Sequence, residues 1–397
     1  MKSDTTWLIK LAHIFYARPL IRRRRLSLVN NTAADLNKGP YLLISNHVGI
    51  MDPVIISSLF PRERTVRWVT GAYLFKSRFL KHIFSHHLKC IPKQQGKSDF
   101  STVRTMQREL KNGNIVGIYP EGTRTWDGDT ISMNYLPVAK MMKTFRVPVI
   151  VANLEGGFAN QPRWADKIRK GPVTVNIKRL FTPDEIAALD LGELSRDVQS
   201  FLFFSNDAWK NNENYRYESN ERAEGIQRLF YMCPVCHGIE TIKTKGNTIR
   251  CSNCGATAEL DSMDNIVSDT IEFTKIPQWH NWEKNTLSEI KAFAPQHGVL
   301  FQRGNSDNNG TLEAISKDIT VSLENNIINV KCNDSGRKFE MPLENITSLI
   351  LNAKQTIELF CNEVLYRIRL TPDASSLKYQ EYYQVFTEKN NVHSRLP

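Results

Sequence analysis

The sequence predicts an α/β domain with a mainly parallel central sheet, followed by a four-cysteine segment and a small, mainly-β C-terminal domain. Three features predict it. Between residues 41 and 178 short apolar runs alternate with helical stretches, the pattern of βαβ units. Two Cys-x-x-Cys pairs follow at 233–254. From 298 to 370 short strands are separated by turn residues such as Asn309-Gly310 and Asp334-Ser335-Gly336.

In the first region the expected strands are 41–45, 66–70, 88–91, 115–119, 148–153 and 173–178. Helices are expected near 53–60, 74–86, 99–112 and 136–145. Ligands on such sheets sit beyond the carboxyl ends of strands, so the residues just after 45 and 119 come first as site candidates. Residues 205–224 are polar and Asn-rich and read as a linker or surface helix. An amphipathic helix is expected over 222–231, leading into the cysteines. The C-terminal strands are expected at 298–303, 318–323, 326–331, 346–351, 355–360 and 363–369. A final helix at 374–388 places Tyr379, Tyr382, Tyr383 and Phe386 on one face, read as a core cap. The organisation is thus 1–26, 27–205, 206–227, 228–260 and 265–397.

Composition narrows the function. Of 397 residues 41% are hydrophobic, which excludes a mainly disordered chain. No run of 18 apolar residues occurs, which argues against a classical membrane-spanning helix. Seven cysteines and no visible signal peptide disfavour a disulfide-stapled secreted protein. The net charge of +11 calls for a polyanionic partner: nucleic acid, an anionic membrane or a phosphorylated small molecule. That charge is uneven, because residues 261–397 carry 14 basic and 18 acidic side chains. Residues 1–26 hold seven basic groups and one acidic, with Trp7, Leu8, Leu11, Ile14 and Phe15 on one helical face. This is the make-up of an interfacial helix, or of a helix packed on its own domain with a solvated Arg cluster. Anionic lipid is the favoured polyanion and nucleic acid is disfavoured, so the chain is expected at the cytoplasmic side of a membrane, peripherally bound.

Strand 41–45 runs directly into Asn46-His47-Val48-Gly49-Ile50-Met51-Asp52-Pro53. His47 is a natural general base at neutral pH, and a carboxylate five residues on can fix its tautomer and stabilise the imidazolium. The competing expectation is that Asp52 is a helix N-cap before an N1 proline. No Gly-x-Ser-x-Gly elbow occurs, which disfavours an α/β-type serine hydrolase. Strand 115–119 runs into Pro120-Glu121-Gly122-Thr123-Arg124. Gly122 permits a sharp turn, Arg124 offers a planar fork for phosphate, and Glu121 could orient that fork or bind a hydroxyl. The alternative is a turn closed by an ordinary Glu–Arg pair.

Together, Asn-His-x4-Asp after one strand and Pro-Glu-Gly-Thr-Arg some 70 residues later resemble the glycerolipid acyltransferases of the 1-acylglycerol-3-phosphate O-acyltransferase, or PlsC-like, family. The resemblance spans about 30–180 and includes Ile91-Pro92-Lys93 and Val147-Pro148-Val149-Ile150. It implies that His47 deprotonates an acceptor hydroxyl, that Asp52 holds and polarises His47, and that the hydroxyl attacks the thioester of acyl-CoA or acyl-carrier protein with no covalent acyl-enzyme. It implies acceptor binding by Glu121, Gly122, Thr123 and Arg124, with Asn46 and Lys93 as further substrate-binding candidates, and no catalytic metal. The acceptor would be lysophosphatidate-like or another lysolipid, such as a lysophospholipid or an ornithine-type lipid. The chain departs from the family pattern at Gly71-Ala72-Tyr73, at Lys93-Gln94 and at Asn134-Tyr135-Leu136-Pro137, which bears on the acceptor rather than the chemistry. Arg163 and Trp164 read as an edge loop, with the acceptor pocket as the alternative.

Cys233, Cys236, Cys251 and Cys254 have the spacing of a closed tetrahedral site for structural Zn2+, a zinc ribbon. Gly238 and Gly255 after each pair suit tight knuckles. Cys90, Cys332 and Cys361 read as buried small apolar residues. The C-terminal strands and helix over 265–390 resemble a PH- or GRAM-like domain, which does not fix function. The remaining alternative is a non-catalytic scaffold that binds protein or nucleic acid through the ribbon.

Overall fold

A computed structural model describes residues 26–61, 64–75, 81–93, 100–304 and 312–393. Residues 1–25 of the basic helix expected over 1–26, residues 76–80 of the helix expected near 74–86, and the segment 94–99 lie outside the described residues. Two compact units result: Met1–Arg163 with Lys167–Ser219, and Trp164–Asp166 with Asn220–Pro397.

The first unit is built on a seven-stranded sheet. Its strands are β1 (Leu26–Asn30), β2 (Tyr41–Ser45), β3 (Val66–Gly71), β4 (Ile91–Lys93), β5 (Ile115–Ile118), β6 (Val149–Glu155) and β7 (Val173–Phe181), in the order β1-β7-β6-β2-β5-β3-β4. All pairings are parallel except β6 with β7. Every residue of β2, β5 and β6 is buried, as befits strands covered on both faces. Its helices include α1 (Asp52–Ser57), α2 (Phe100–Lys111), α3 (Leu136–Phe145) and, after β7, α4 (Leu191–Leu202). Helix α2 buries Thr102, Met106 and Leu110, four residues apart, and α4 buries Leu194, Val198 and Leu202 in the same register. With Val138, Ala139 and Met142 of α3 these side chains close the core over the sheet, each apolar one contributing about 1.5–3 kcal/mol of burial. Among the described residues no helix is long and apolar enough to cross a membrane.

The structure adds to or departs from expectation at three places in this unit. β1 was not expected; it pairs in parallel with β7 at the sheet edge and leaves Leu28 exposed. The strand expected at 88–91 forms at Ile91–Lys93, because Ile83–His87 is still helical, as a π-turn, and Lys89 takes a positive φ. The polar 205–224 stretch contains one short helix, Asn206–Asn212, and buries Tyr217 completely.

In the second unit a four-stranded antiparallel sheet is made of β8 (Ile242–Lys245), β9 (Thr248–Cys251), β10 (Thr257–Leu260) and β11 (Ile266–Val267). Helix α5 (Ile276–Thr286) precedes an eight-stranded antiparallel sheet. Its strands are β12 (Ala292–Gly304), β13 (Leu312–Ser316), β14 (Ile319–Glu324), β15 (Ile327–Cys332), β16 (Lys338–Pro342), β17 (Ile346–Asn352), β18 (Thr356–Cys361) and β19 (Val364–Leu370). Helix α6 (Leu377–His393) sets Tyr379 and Tyr382 edge-on to Phe293, with ring centroids 5.3 and 5.5 Å away, as expected of a core cap. The helix expected over 222–231 is a 3-10 turn at Ile226–Arg228. Its two arginines face inward: Arg222 pairs with Asp264 at 3.2 Å and Arg228 donates to the Pro372 carbonyl at 2.8 Å.

Candidate active site

The parallel pairing of β2 with β5 builds the site. Ile44 lies opposite Ile118, so the chain leaves both strands at the same edge and in register. His47 is three residues past Ile44 and Glu121 three past Ile118. The His47 N–H accordingly donates to Glu121 Oε1 at 2.8 Å, and the Thr125 N–H donates to the His47 carbonyl at 3.0 Å. Sequence neighbours far apart thus become one loop cluster at the carboxyl edge of the sheet.

His47 Nδ1 is 2.9 Å from Asp52 Oδ2. The same oxygen accepts the N–H groups of Val48 and Gly49, each at 2.8 Å. Asp52 is 1% exposed. The helix N-cap is Met51, without a side-chain cap, so Asp52 does not cap α1; it turns back onto the 47–49 loop. An Asp52 carboxylate that accepts Nδ1–H puts the imidazole lone pair on Nε2. The ring is further held by stacking: His47 on Tyr119 at 4.2 Å, and Tyr119 on Trp68 at 4.6 Å. Burial and the nearby Asp52 charge push the Tyr119 hydroxyl well above its usual range. A hydrogen bond from Trp68 Nε1 to Ser57 Oγ, 2.9 Å, ties the far end of the stack to α1.

The stack needs a glycine at 117. A Cβ there would lie 2.5 Å from Trp68 Cε3. Gly117→Ala is therefore expected to lower stability by about 1–3 kcal/mol through overpacking and to tilt the rings against His47. Denaturant unfolding measures the first effect and near-ultraviolet circular dichroism the second. An unchanged near-ultraviolet spectrum would contradict the stack.

Glu121 holds the two loops together. Its Oε1 takes the His47 N–H and its Oε2 the Ile131 N–H at 3.0 Å. Burial raises its carboxyl, the two backbone N–H groups lower it, and the Asp52 and Asp127 charges raise it again, to about 7. The fold then keeps this proton to a higher pH than the unfolded chain does. The resulting stability is fully present below about 4.5, the unfolded value, and is lost as pH rises through 7. Stability is expected to fall between pH 5 and pH 8, and Glu121→Gln to flatten that fall while costing stability at pH 5, where its amide cannot accept both N–H groups. Equal pH slopes in denaturant titrations of the two forms would refute this.

The other predicted site residues divide by environment. Asn46 is buried and its amide is engaged with one backbone unit, donating to the Leu154 carbonyl at 3.3 Å and accepting the Leu154 N–H at 2.7 Å. Gly122 is exposed with φ +66°, a turn that favours glycine. Thr123 and Arg124 are half-buried beside it. Lys93 is exposed at the end of β4, at the same carboxyl edge but two strands beyond β5. Arg163 is 3% exposed; its Nη1 donates to Thr123 Oγ1 at 2.9 Å and to the Arg124 carbonyl, and its guanidinium lies 4.3 Å over the Trp126 ring. The sequence reads Arg163 and Trp164 as an edge loop, with the acceptor pocket as the alternative; both are buried, and Arg163 lies against the 123–124 turn.

In the second unit Cys233, Cys236, Cys251 and Cys254 bring their sulfurs within 4.8 Å of one another and could hold a metal ion. Cys233 to Cys254 and Cys236 to Cys251 are each 3.7 Å. A tetrahedron with Zn–S bonds of about 2.3 Å has edges of about 3.8 Å, which these two separations match. The Thr241 hydroxyl lies 3.2 Å from Cys251 Sγ and Asn253 Nδ2 donates to Cys236 Sγ at 3.4 Å. Burial raises the Cys251 thiol, but the Thr241 hydroxyl and the Cys254 and Asn253 N–H groups bring it down to about 6. The left-handed residue of the first knuckle is His237, φ +54°, not Gly238; Gly255 takes that place in the second. Gly238 is needed for space, since its Cβ would lie 2.9 Å from Thr241. Cys332 and Cys361 are buried as expected, whereas Cys90 is half-buried, its thiol pushed up to about 12 by burial.

The sheet, the loop edge and the His47–Asp52 contact define an α/β domain with an imidazole–carboxylate pair at the carboxyl ends of its strands, and residues 21–154 match the family model described as Acyltransferase. Among solved structures, the 1-acyl-sn-glycerophosphate (LPA) acyltransferase PlsC from Thermotoga maritima is similar over 52% of this chain and 80% of its own, at 17% identity and a TM-score of 0.41. No curated protein matches the chain.

Proposed function

We propose that the first unit is an O-acyltransferase that moves a fatty acyl group from a thioester, acyl-CoA or acyl-carrier protein, to the hydroxyl of 1-acylglycerol-3-phosphate or a similar lysolipid. The observation that carries the reading is the 2.9 Å His47–Asp52 contact at the strand edge, inside a segment that matches an acyltransferase family. In this mechanism His47 Nε2 takes the acceptor hydroxyl proton as the oxygen attacks the thioester carbon. The C–S bond breaks, and the proton passes to the leaving thiolate. Asp52 keeps Nδ1 protonated and stabilises the imidazolium. Arg124 and the Gly122–Thr123 turn supply the anion-binding part of the acceptor site.

The enzyme would work peripherally, on the cytoplasmic side of a membrane. The excess positive charge lies before residue 261, where each basic group near an anionic surface is worth about 1 kcal/mol. Ile50, 66% exposed on the loop between His47 and Asp52, and Val54 beside it offer apolar contact to lipid. The four cysteines would hold a structural Zn2+, which supplies cross-linking and no chemistry, and the β-rich remainder of the second unit is read as PH/GRAM-like.

The test is thioester release, with acyl-CoA and acyl-carrier protein as donors, against lysophosphatidate, other lysophospholipids and an ornithine-type lyso-lipid. Acceptor-dependent thiol release with the matching acylated product is expected. Absence of release with every pair would sink the reading.

A further inference from the structure

We propose that Arg163 is a positioning residue that fixes the shape of the Thr123–Arg124 turn and so sets the affinity for a phosphate-bearing acceptor. The proposal rests on the acyl-transfer reading for the identity of the acceptor, but its geometry stands alone.

Arg163 lies 39 residues past Arg124 and beyond the segment that matches the family. It is buried, and a buried guanidinium is retained only where its donors are used. Here Nη1 donates twice to the turn itself. One N–H reaches Thr123 Oγ1, so that hydroxyl accepts from Arg163 and keeps its own proton to donate outward. Another contact is to the Arg124 carbonyl. The next atom along that peptide, the Thr125 N–H, donates to the His47 carbonyl at 3.0 Å. The Arg124–Thr125 peptide unit is therefore pinned on both sides, by Arg163 on its oxygen and by the His47 loop on its nitrogen. Its orientation decides where the Arg124 side chain leaves the backbone relative to His47. Trp126, 6% exposed, provides the face on which the Arg163 guanidinium rests and so limits its other positions. A lysine could offer charge but neither the planar fork nor the stacking face.

The test uses the full chain as native protein, Arg163→Lys and Arg163→Met, each checked for folding by thermal unfolding. Acyl transfer is measured on 1-acylglycerol-3-phosphate and on monoacylglycerol, which has no phosphate. The KM for the phosphate-bearing acceptor is expected to rise about ten-fold or more in Arg163→Met, and less in Arg163→Lys, about 1.4 kcal/mol per decade. The KM values for monoacylglycerol and for the thioester donor should move far less. A loss shared equally by both acceptors, or confined to kcat, would show a merely structural role and overturn the proposal. A second arm titrates glycerol 3-phosphate calorimetrically into native and variant protein, without turnover. If no acceptor is acylated by the native chain, the acyl-transfer reading fails and this arm still decides: weaker binding in Arg163→Met, or in Arg163→Lys if the former does not fold, upholds the positioning role. Equal binding, or none to the native chain, overturns it.

Discussion

Alanine at position 47 is expected to lower acyl transfer by about 10²–10⁴-fold, the worth of a positioned general base, with little change in the KM for the thioester. The acceptor hydroxyl is a poor nucleophile while it keeps its proton, and in the proposed mechanism the His47 ring removes it. Three constraints fix that ring: the 2.9 Å contact to a buried Asp52, the stack on Tyr119, and the backbone ties of His47 to Glu121 and Thr125. The substitution removes the base and one face of the stack but none of the backbone ties, so the fold should survive with a loss of about 0.5–1.5 kcal/mol. His47→Gln is the companion variant, since it keeps bulk without a base of suitable pKa. Asp52→Asn should fall as steeply, because an amide cannot balance an imidazolium. It should also destabilise the loop, since Asp52 Oδ2 receives two backbone N–H groups besides the ring. Initial rates of thiol release, with product identified by mass, decide the matter. Transfer retained within a few-fold in His47→Ala would remove His47 as the base.

Much of this site could be read along the chain, and what could not is non-local. The strand Tyr41–Ser45 and the helix Leu136–Phe145 fall where their patterns place them, because burial on both faces makes β2 continuously apolar and because Val138, Ala139, Met142 and Phe145 mark one helical face. The His47–Asp52 contact was within reach because it closes over five residues. The roles of Glu121 and Arg163 were not, because the first joins residues 74 apart and the second residues about 40 apart, and both depend on the register of parallel strands. Gly117 looks like an ordinary strand glycine until Trp68 lies over it. The expected helix at 222–231 failed for a different reason. An amphipathic helix there would keep Arg222 and Arg228 in solvent, whereas both are buried, Arg222 paired with Asp264 and Arg228 donating to the Pro372 carbonyl. A charged residue buried against a distant partner has no local pattern. β1 was missed because an edge strand with Leu28 exposed lacks the apolar run of its neighbours.

Removing the metal that the four cysteines fit is expected to unfold the cysteine-bearing part of the second unit while sparing thioester chemistry at the first. The thiolates sit at the ends of short segments: Cys251 closes β9, and the 233–236 turn is held by the Cys233 N–H on the Gly238 carbonyl at 3.0 Å. The sheet β8–β11 has strands of four residues or fewer, too little apolar surface to hold without a cross-link. Structural zinc contributes about 10–16 kcal/mol of apparent binding energy in small thiolate domains at neutral pH, more than such a sheet can lose. As purified, the chain should carry about one zinc per molecule. Cys251→Ser should lose it, because Cys251 is buried and its sulfur faces both Cys236 and the Thr241 hydroxyl. The loss should appear as a separate early transition on thermal unfolding, reproduced in the native chain by a strong chelator and reversed by added zinc. Cys332→Ser, at a buried cysteine outside the cluster, is the control and should keep its zinc. Metal analysis that finds far less than one zinc per chain, with an unchanged unfolding profile in Cys251→Ser, would refute the site. Metal loss that also abolishes thioester release would show instead that the activity of the first unit depends on the second.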